Sequence, residues 1–204
     1  MPLACWGRWR WWPCWQRRCD DDGSDAAFAH AGEVDFRRAY AAPKRRMRAH
    51  LRGLGIEAAL PRGFEGRIFR RPESDGARSY AVAQFATIPL PPVRSVGDFG
   101  SGIVQHLGAR DVLAVLFEYG PESLGTALFA RAGLPPTIGL DRFNTFRLRR
   151  GMPGQAGTQC FFTEAGRPFT LYAVLGSYEH GAVCLSRLNA LLAEISVSRP
   201  EQIS

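Results

Sequence analysis

Glu118 and Tyr119 end the apolar run Val112–Phe117, where a rigid strand could hold a carboxylate and a phenol for acid–base work. One carboxylate with no partner at a readable spacing defines no reaction. Arg147, Arg149 and Arg150 stand together in FNTFRLRR. On a strand Arg147 and Arg149 share a face, where they could contact phosphates or lie solvated as ordinary outward charges. Arg167 follows Glu164 across the turn Glu164-Ala165-Gly166-Arg167. An enzyme built on Glu118, Tyr119 or Arg167 requires these side chains to converge on one cavity. If they do not, the same residues remain candidate binding groups.

The other reactive side chains lack the spacing that chemistry needs. His30, His50, His106 and His180 include no i, i+4 pair and join no cysteines at zinc spacing, so no metal site is expected. His180 reads as an exposed polar residue at a helix start. Phe99-Gly100-Ser101-Gly102 holds a Gly-x-Gly but not the rest of a dinucleotide fingerprint, and no lysine follows Gly151–Gly157 in phosphate-loop order. No cofactor is implied. Cys160 and Cys184 fall on apolar faces and read as small core hydrophobes. Cys5, Cys14, Cys19, Cys160 and Cys184 form no CxxC pair, which argues against a disulfide framework and for a reducing, cytoplasmic setting.

The elements that must position these groups are clearest at the C-terminal end. Gly166 supplies the positive φ of a tight turn. Closing the chain there pairs Phe162 with Phe169, Cys160 with Leu171 and Thr158 with Ala173 on one apolar face that continues to Leu175. The opposite face, with Gln159, Phe161, Thr163, Thr170, Tyr172 and Val174, is mixed and expected to be partly buried. Phe161 and Tyr172 could anchor a partner protein there, or a helix could cover them. Ala182, Leu185, Leu188, Leu192 and Ile195 then recur at helical spacing, with Ser177 as N-cap and Glu179 in the first turn. A closing strand follows. Upstream, Phe64–Arg71, Tyr80–Ile88 and Phe143–Arg150 read as strands, and Thr126–Arg131 as a short helix. Val112–Phe117, apolar at every position, reads as the central strand, covered on both faces. The result is an α+β domain, mainly antiparallel β-sheet with helices packed on it.

At 204 residues the chain has room for one real core, expected over residues 47–204. Of the net charge of +7, residues 47–204 carry +4, and Lys44 is the single lysine. No apolar run reaches the ~20 residues a transmembrane helix needs. All five tryptophans, Trp6, Trp9, Trp11, Trp12 and Trp15, lie among arginines in the first fifteen residues. Residues 1–46 are read as a disordered or non-native extension, with Met47 as an alternative start. Were they translated, this Trp/Arg arm would suit a bilayer interface or base stacking.

LPRGFEGRIFRRP, DFGSG, EYGPESLGTALFARAGLP and PGQAGTQCFFTEAGRPFTLYAVLGS resemble an uncharacterised conserved family of high-GC Gram-positive bacteria over roughly residues 60–197. That resemblance transfers no activity to any residue. An antiparallel sheet ending in strand–helix–strand is more distantly similar to the PsbP/Mog1-like α/β/α sandwich, whose members mostly act as binding or accessory modules. The resulting expectation is a non-enzymatic binding or accessory domain of unnamed ligand, with Arg147, Arg149, Glu118, Tyr119 and Arg167 as candidate contacts. The alternatives are a nucleic-acid or membrane-surface binder using the arginine patch and the arm, and an enzyme at the end of the central strand.

Overall fold

The computed structural model describes residues 49–71, 80–93, 102–145 and 152–199. Two antiparallel sheets and one helix organise them. The larger sheet contains β3 (Glu65–Arg70), β4 (Ala81–Ala86), β5 (Val112–Glu118), β6 (Ala156–Glu164) and β7 (Arg167–Leu175), in the order β3-β4-β5-β7-β6. The smaller contains β1 (His50–Gly53), β2 (Ile56–Ala59) and β8 (Ile195–Val197), in the order β1-β2-β8. Helix α1 (Gly181–Leu192) lies between β7 and β8 in the chain. The architecture is α+β and mostly antiparallel, as the sequence implies.

The β6–β7 hairpin has the expected register: Phe162 faces Phe169, Cys160 faces Leu171 and Thr158 faces Ala173. Strand β5 is central, between β4 and β7. Its alternation sorts the sheet into two faces. Val112, Ala114 and Leu116 join Phe85, Phe162, Phe169, Leu171 and the helix in the main core. Leu113 and Val115 point the other way, under Ile103, Val104 and Leu107. We call these the inner and outer faces. The inner face is covered by α1 and the small sheet, whose Ile56 and Ala58 are fully buried in the same core.

The β1–β2 hairpin is absent from the sequence reading, which begins its strands at Phe64. Its turn is Leu54-Gly55, with φ of 52° and 71°, a two-residue turn of the primed type that suits strand twist. Leucine is a rare occupant of that conformation, so the turn lacks the Asn-Gly or Asp-Gly signature. The β6–β7 turn uses the same geometry at Ala165 and Gly166, with φ of 51° and 74°. The two glycines differ in surroundings. A Cβ on Gly55 would stand 2.6 Å from Arg167 Nη1, whereas one on Gly166 meets nothing within 4 Å. Gly166→Ala is therefore expected to cost only the left-handed strain, about 1–2 kcal/mol. Gly55→Ala adds displacement of the guanidinium, and its denaturation midpoint should fall further.

The helix corrects the sequence reading in detail. It starts at Gly181, with His180 at the N-cap position and no side-chain cap. Ser177 lies too far upstream, because Gly176 N–H is held by Asp111 O and Tyr178 N–H by Gly154 O, which keeps residues 176–178 out of the helix. His180 is half-buried rather than exposed. The buried stripe is Gly181, Cys184, Leu188, Leu191 and Leu192, while Ala182 is exposed and Ile195 belongs to β8. Asn189, off the expected stripe, holds Ile138 from both sides: its Oδ1 accepts the Ile138 N–H at 2.9 Å and its Nδ2 donates to Ile138 O at 3.2 Å. Thr126–Arg131 contributes a single 3₁₀ turn, Ala127–Phe129, not an α-helix. Of the expected strand Phe143–Arg150, the described part contributes one bridge, Asn144 to Gly157. The remainder, with Arg147, Arg149 and Arg150, lies outside the described residues, as do residues 1–46.

Candidate functional site

Neighbouring residues on a strand point to opposite faces, and this separates the two candidates at the end of β5. Glu118 turns to the inner face and meets Arg167. Arg167 Nε donates to Glu118 Oε1 at 2.7 Å and Nη2 donates to Oε2 at 2.8 Å, a bidentate pair. The side chains are 5% and 15% exposed, respectively. The Ala81 N–H donates to Glu118 Oε2 at 3.1 Å. Arg167 further donates to Leu54 O at 3.0 Å and Ser198 O at 3.2 Å. Its guanidinium also lies 5.0 Å from the Phe169 ring centroid. One arginine on β7 thus ties the end of the central strand, the β1–β2 turn and the residue after β8 together. Four of its five N–H donors are thus used within the fold.

Tyr119 turns to the outer face, so Glu118, Tyr119 and Arg167 do not converge on one cavity. Across that face the register places Phe69, Val82, Phe117, Thr170 and Phe161 in one row. The row above it holds Arg67, Gln84, Val115, Tyr172 and Gln159. Thr170 and Val174 are fully buried, whereas Phe69, Phe117, Tyr119, Phe161 and Tyr172 are each partly exposed. The rings touch edge to face: Tyr119 is 5.1 Å from Phe117 and 5.2 Å from Phe129, and Phe129 is 5.4 Å from Phe161. Among the described residues no α-helix covers this cluster; Phe129, from the 3₁₀ turn, closes one end of it.

Two arginines border the rings. The Arg71 guanidinium lies 5.9 Å from the Phe117 centroid and that of Arg67 lies 5.6 Å from Phe69. Arg67 Nε donates to Gln84 Oε1 at 2.7 Å and Nη1 donates to Pro91 O, while Nη2 is buried without a hydrogen-bond partner. Burial lowers the Arg67 pKa. Sequence reasoning missed Arg67, Phe69 and Arg71. The signal was present in GRIFRR, where positions 67, 69 and 71 alternate onto one face of a strand.

Burial raises the Tyr119 pKa, with Arg71 opposing through its charge. The folded protein therefore favours the neutral phenol, and that contribution to stability is present below the ordinary tyrosine value of about 10. It is lost as pH rises from there through the folded value. Tyr119→Phe has no such titration, so the urea midpoint of wild type should fall relative to that of Tyr119→Phe between about pH 8 and pH 11. Cys184, buried on α1, also has a raised pKa from burial. It lies in the main core, away from Tyr119.

The described residues thus form an α+β domain with a buried ion pair on one face of its main sheet and a partly exposed cluster of aromatic rings and arginines on the other. Comparison with protein-family models, curated proteins and solved structures finds no match.

Proposed function

We propose that this is a non-enzymatic binding domain whose contact surface is the aromatic–arginine half of the outer face. The observation that carries this reading is the set of partly exposed rings, Phe69, Phe117, Tyr119, Phe161 and Tyr172, bordered by Arg67 and Arg71. Such a surface offers stacking and positive charge, but no nucleophile paired with a base.

Single-stranded nucleic acid suits this surface best. Bases stack on aromatic rings carried by a sheet, and arginines neutralise the backbone between them. The +4 charge of residues 47–204 favours the same partner. An anionic membrane would be drawn by the charge but has less use for ring faces held within a sheet. The test is a titration of the chain, labelled at aromatic carbons, with an oligo-thymidine of about a dozen nucleotides. The ring signals of Phe117, Tyr119, Phe161 and Tyr172 should move, while those of Phe162 and Phe169 on the inner face stay in place. Shifts confined to the inner face, or none, would count against the reading.

A further inference from the structure

Among the described residues β8 is an edge strand of the small sheet. In an antiparallel ladder alternate pairs exchange hydrogen bonds, and the residues between them direct N–H and C=O outward. Ser198 N–H donates to Gly55 O at 2.8 Å and Ala59 N–H donates to Glu194 O at 3.2 Å. With Glu57 opposite Ser196, the bonded positions of this segment are 194, 196 and 198. Ile195 and Val197 therefore turn their backbone groups away from β2. Among the described residues none bonds to them on that side.

A cleft of about 270 Å³ lies along this edge, bordered by Leu134, Pro136, Leu192 and Glu164 together with β8 itself. It falls below the roughly 300–1,000 Å³ of small-molecule sites, and its size suits one or two peptide side chains. Glu164 is the one charged residue of its lining. One Glu164 oxygen accepts the Leu134 N–H at 2.8 Å, which fixes the carboxylate at the rim.

We propose that β8 and this cleft receive an extended segment of a partner protein as a fourth strand of the small sheet. Its backbone bonds to Ile195 and Val197, an apolar side chain enters between Leu134 and Leu192, and a basic side chain meets Glu164. Recognition of this kind takes affinity from main-chain bonds and selectivity from alternate side chains. The site is independent of the outer-face reading, since it uses neither the aromatic rings nor Arg67 and Arg71.

The test pans the full chain against a displayed library of random peptides about a dozen residues long and synthesises those enriched. A selected peptide should carry alternating apolar and basic residues. Its N-methylation at the amides facing β8 should weaken binding at least about tenfold, because it removes the donors while leaving the protein untouched. The Ile195 and Val197 amides should gain protection from hydrogen exchange when the peptide binds, and Glu164→Gln should reduce the preference for basic residues. Failure to enrich any peptide, or indifference to N-methylation, overturns the proposal. So does protection of both amides in the chain alone: in a monomer its own tail fills the edge, and in a dimer a second copy does.

Discussion

Glu118→Ala is expected to lower the stability of the domain by about 3–5 kcal/mol, because it leaves the Arg167 charge buried without its carboxylate. Arg167 is 5% exposed and cannot swing into solvent without releasing Leu54 O and Ser198 O. The loss should therefore spread to the β1–β2 turn and β8. The double variant Glu118→Ala/Arg167→Met removes both charges and should recover part of the loss, since an apolar pair avoids the desolvation cost. Recovery should be incomplete, because the two carbonyls also lose their donor. Urea denaturation of the two single variants and the double variant measures the coupling. A loss below about 1 kcal/mol for Glu118→Ala would mean that the pair is solvated and does not join the sheets.

Leu188→Asp should have a larger effect. Leu188 is 0% exposed on α1 and belongs to the core that contains Phe85, Phe162 and Leu171. The variant loses about 1.5–3 kcal/mol of side-chain burial and must also place a carboxylate among apolar groups. The sum is comparable to the whole stability of a typical domain. Circular dichroism should show an unfolded chain at room temperature. Ala190→Asp, exposed on the same helix, controls for helix propensity and should leave the fold intact. A cooperative melt for Leu188→Asp near that of wild type would contradict the packing of α1 on the inner face.

How much could be read beforehand depended on whether local chemistry or distant partners set each feature. The β6–β7 register was legible because Gly166 marks the turn and alternation on both arms agrees with it. The centrality of β5 was legible because Val112–Phe117 is apolar on both faces. The β1–β2 hairpin was not, since its turn places Leu54 where asparagine or aspartate usually stands. Its geometry is supported by Arg167, a residue 113 positions away. The helix start was misplaced for a similar reason: Asp111 and Gly154 hold residues 176 and 178 through backbone bonds that no local pattern announces.

For the site, the sequence offers Glu118, Tyr119 and Arg167 as candidate contacts, but it does not say that Glu118 and Arg167 pair with each other. It also does not show Tyr119 joining Phe117, Phe129 and Phe161 on the other face. The aromatic surface assembles from four strands of the large sheet and a 3₁₀ turn, so only its β3 share, Arg67-x-Phe69-x-Arg71, has a local signature. Arg147 and Arg149, the arginines most suggestive of phosphate contact, lie outside the described residues. Among the described residues, Arg67 and Arg71 are the arginines beside the outer-face rings.

The most direct measurement is the affinity of the full chain for a fluorescein-labelled oligo-thymidine, by anisotropy, at about 50 and 200 mM salt. If the outer face binds single-stranded nucleic acid, affinity should fall between those concentrations by about 2.6-fold for each phosphate neutralised, from a slope of about −0.7 per contact. Phe161→Ala should weaken binding by a further 1–3 kcal/mol, roughly 5- to 150-fold, without changing the salt slope. Absent binding, binding indifferent to salt, or full affinity in Phe161→Ala would contradict the assignment of this surface.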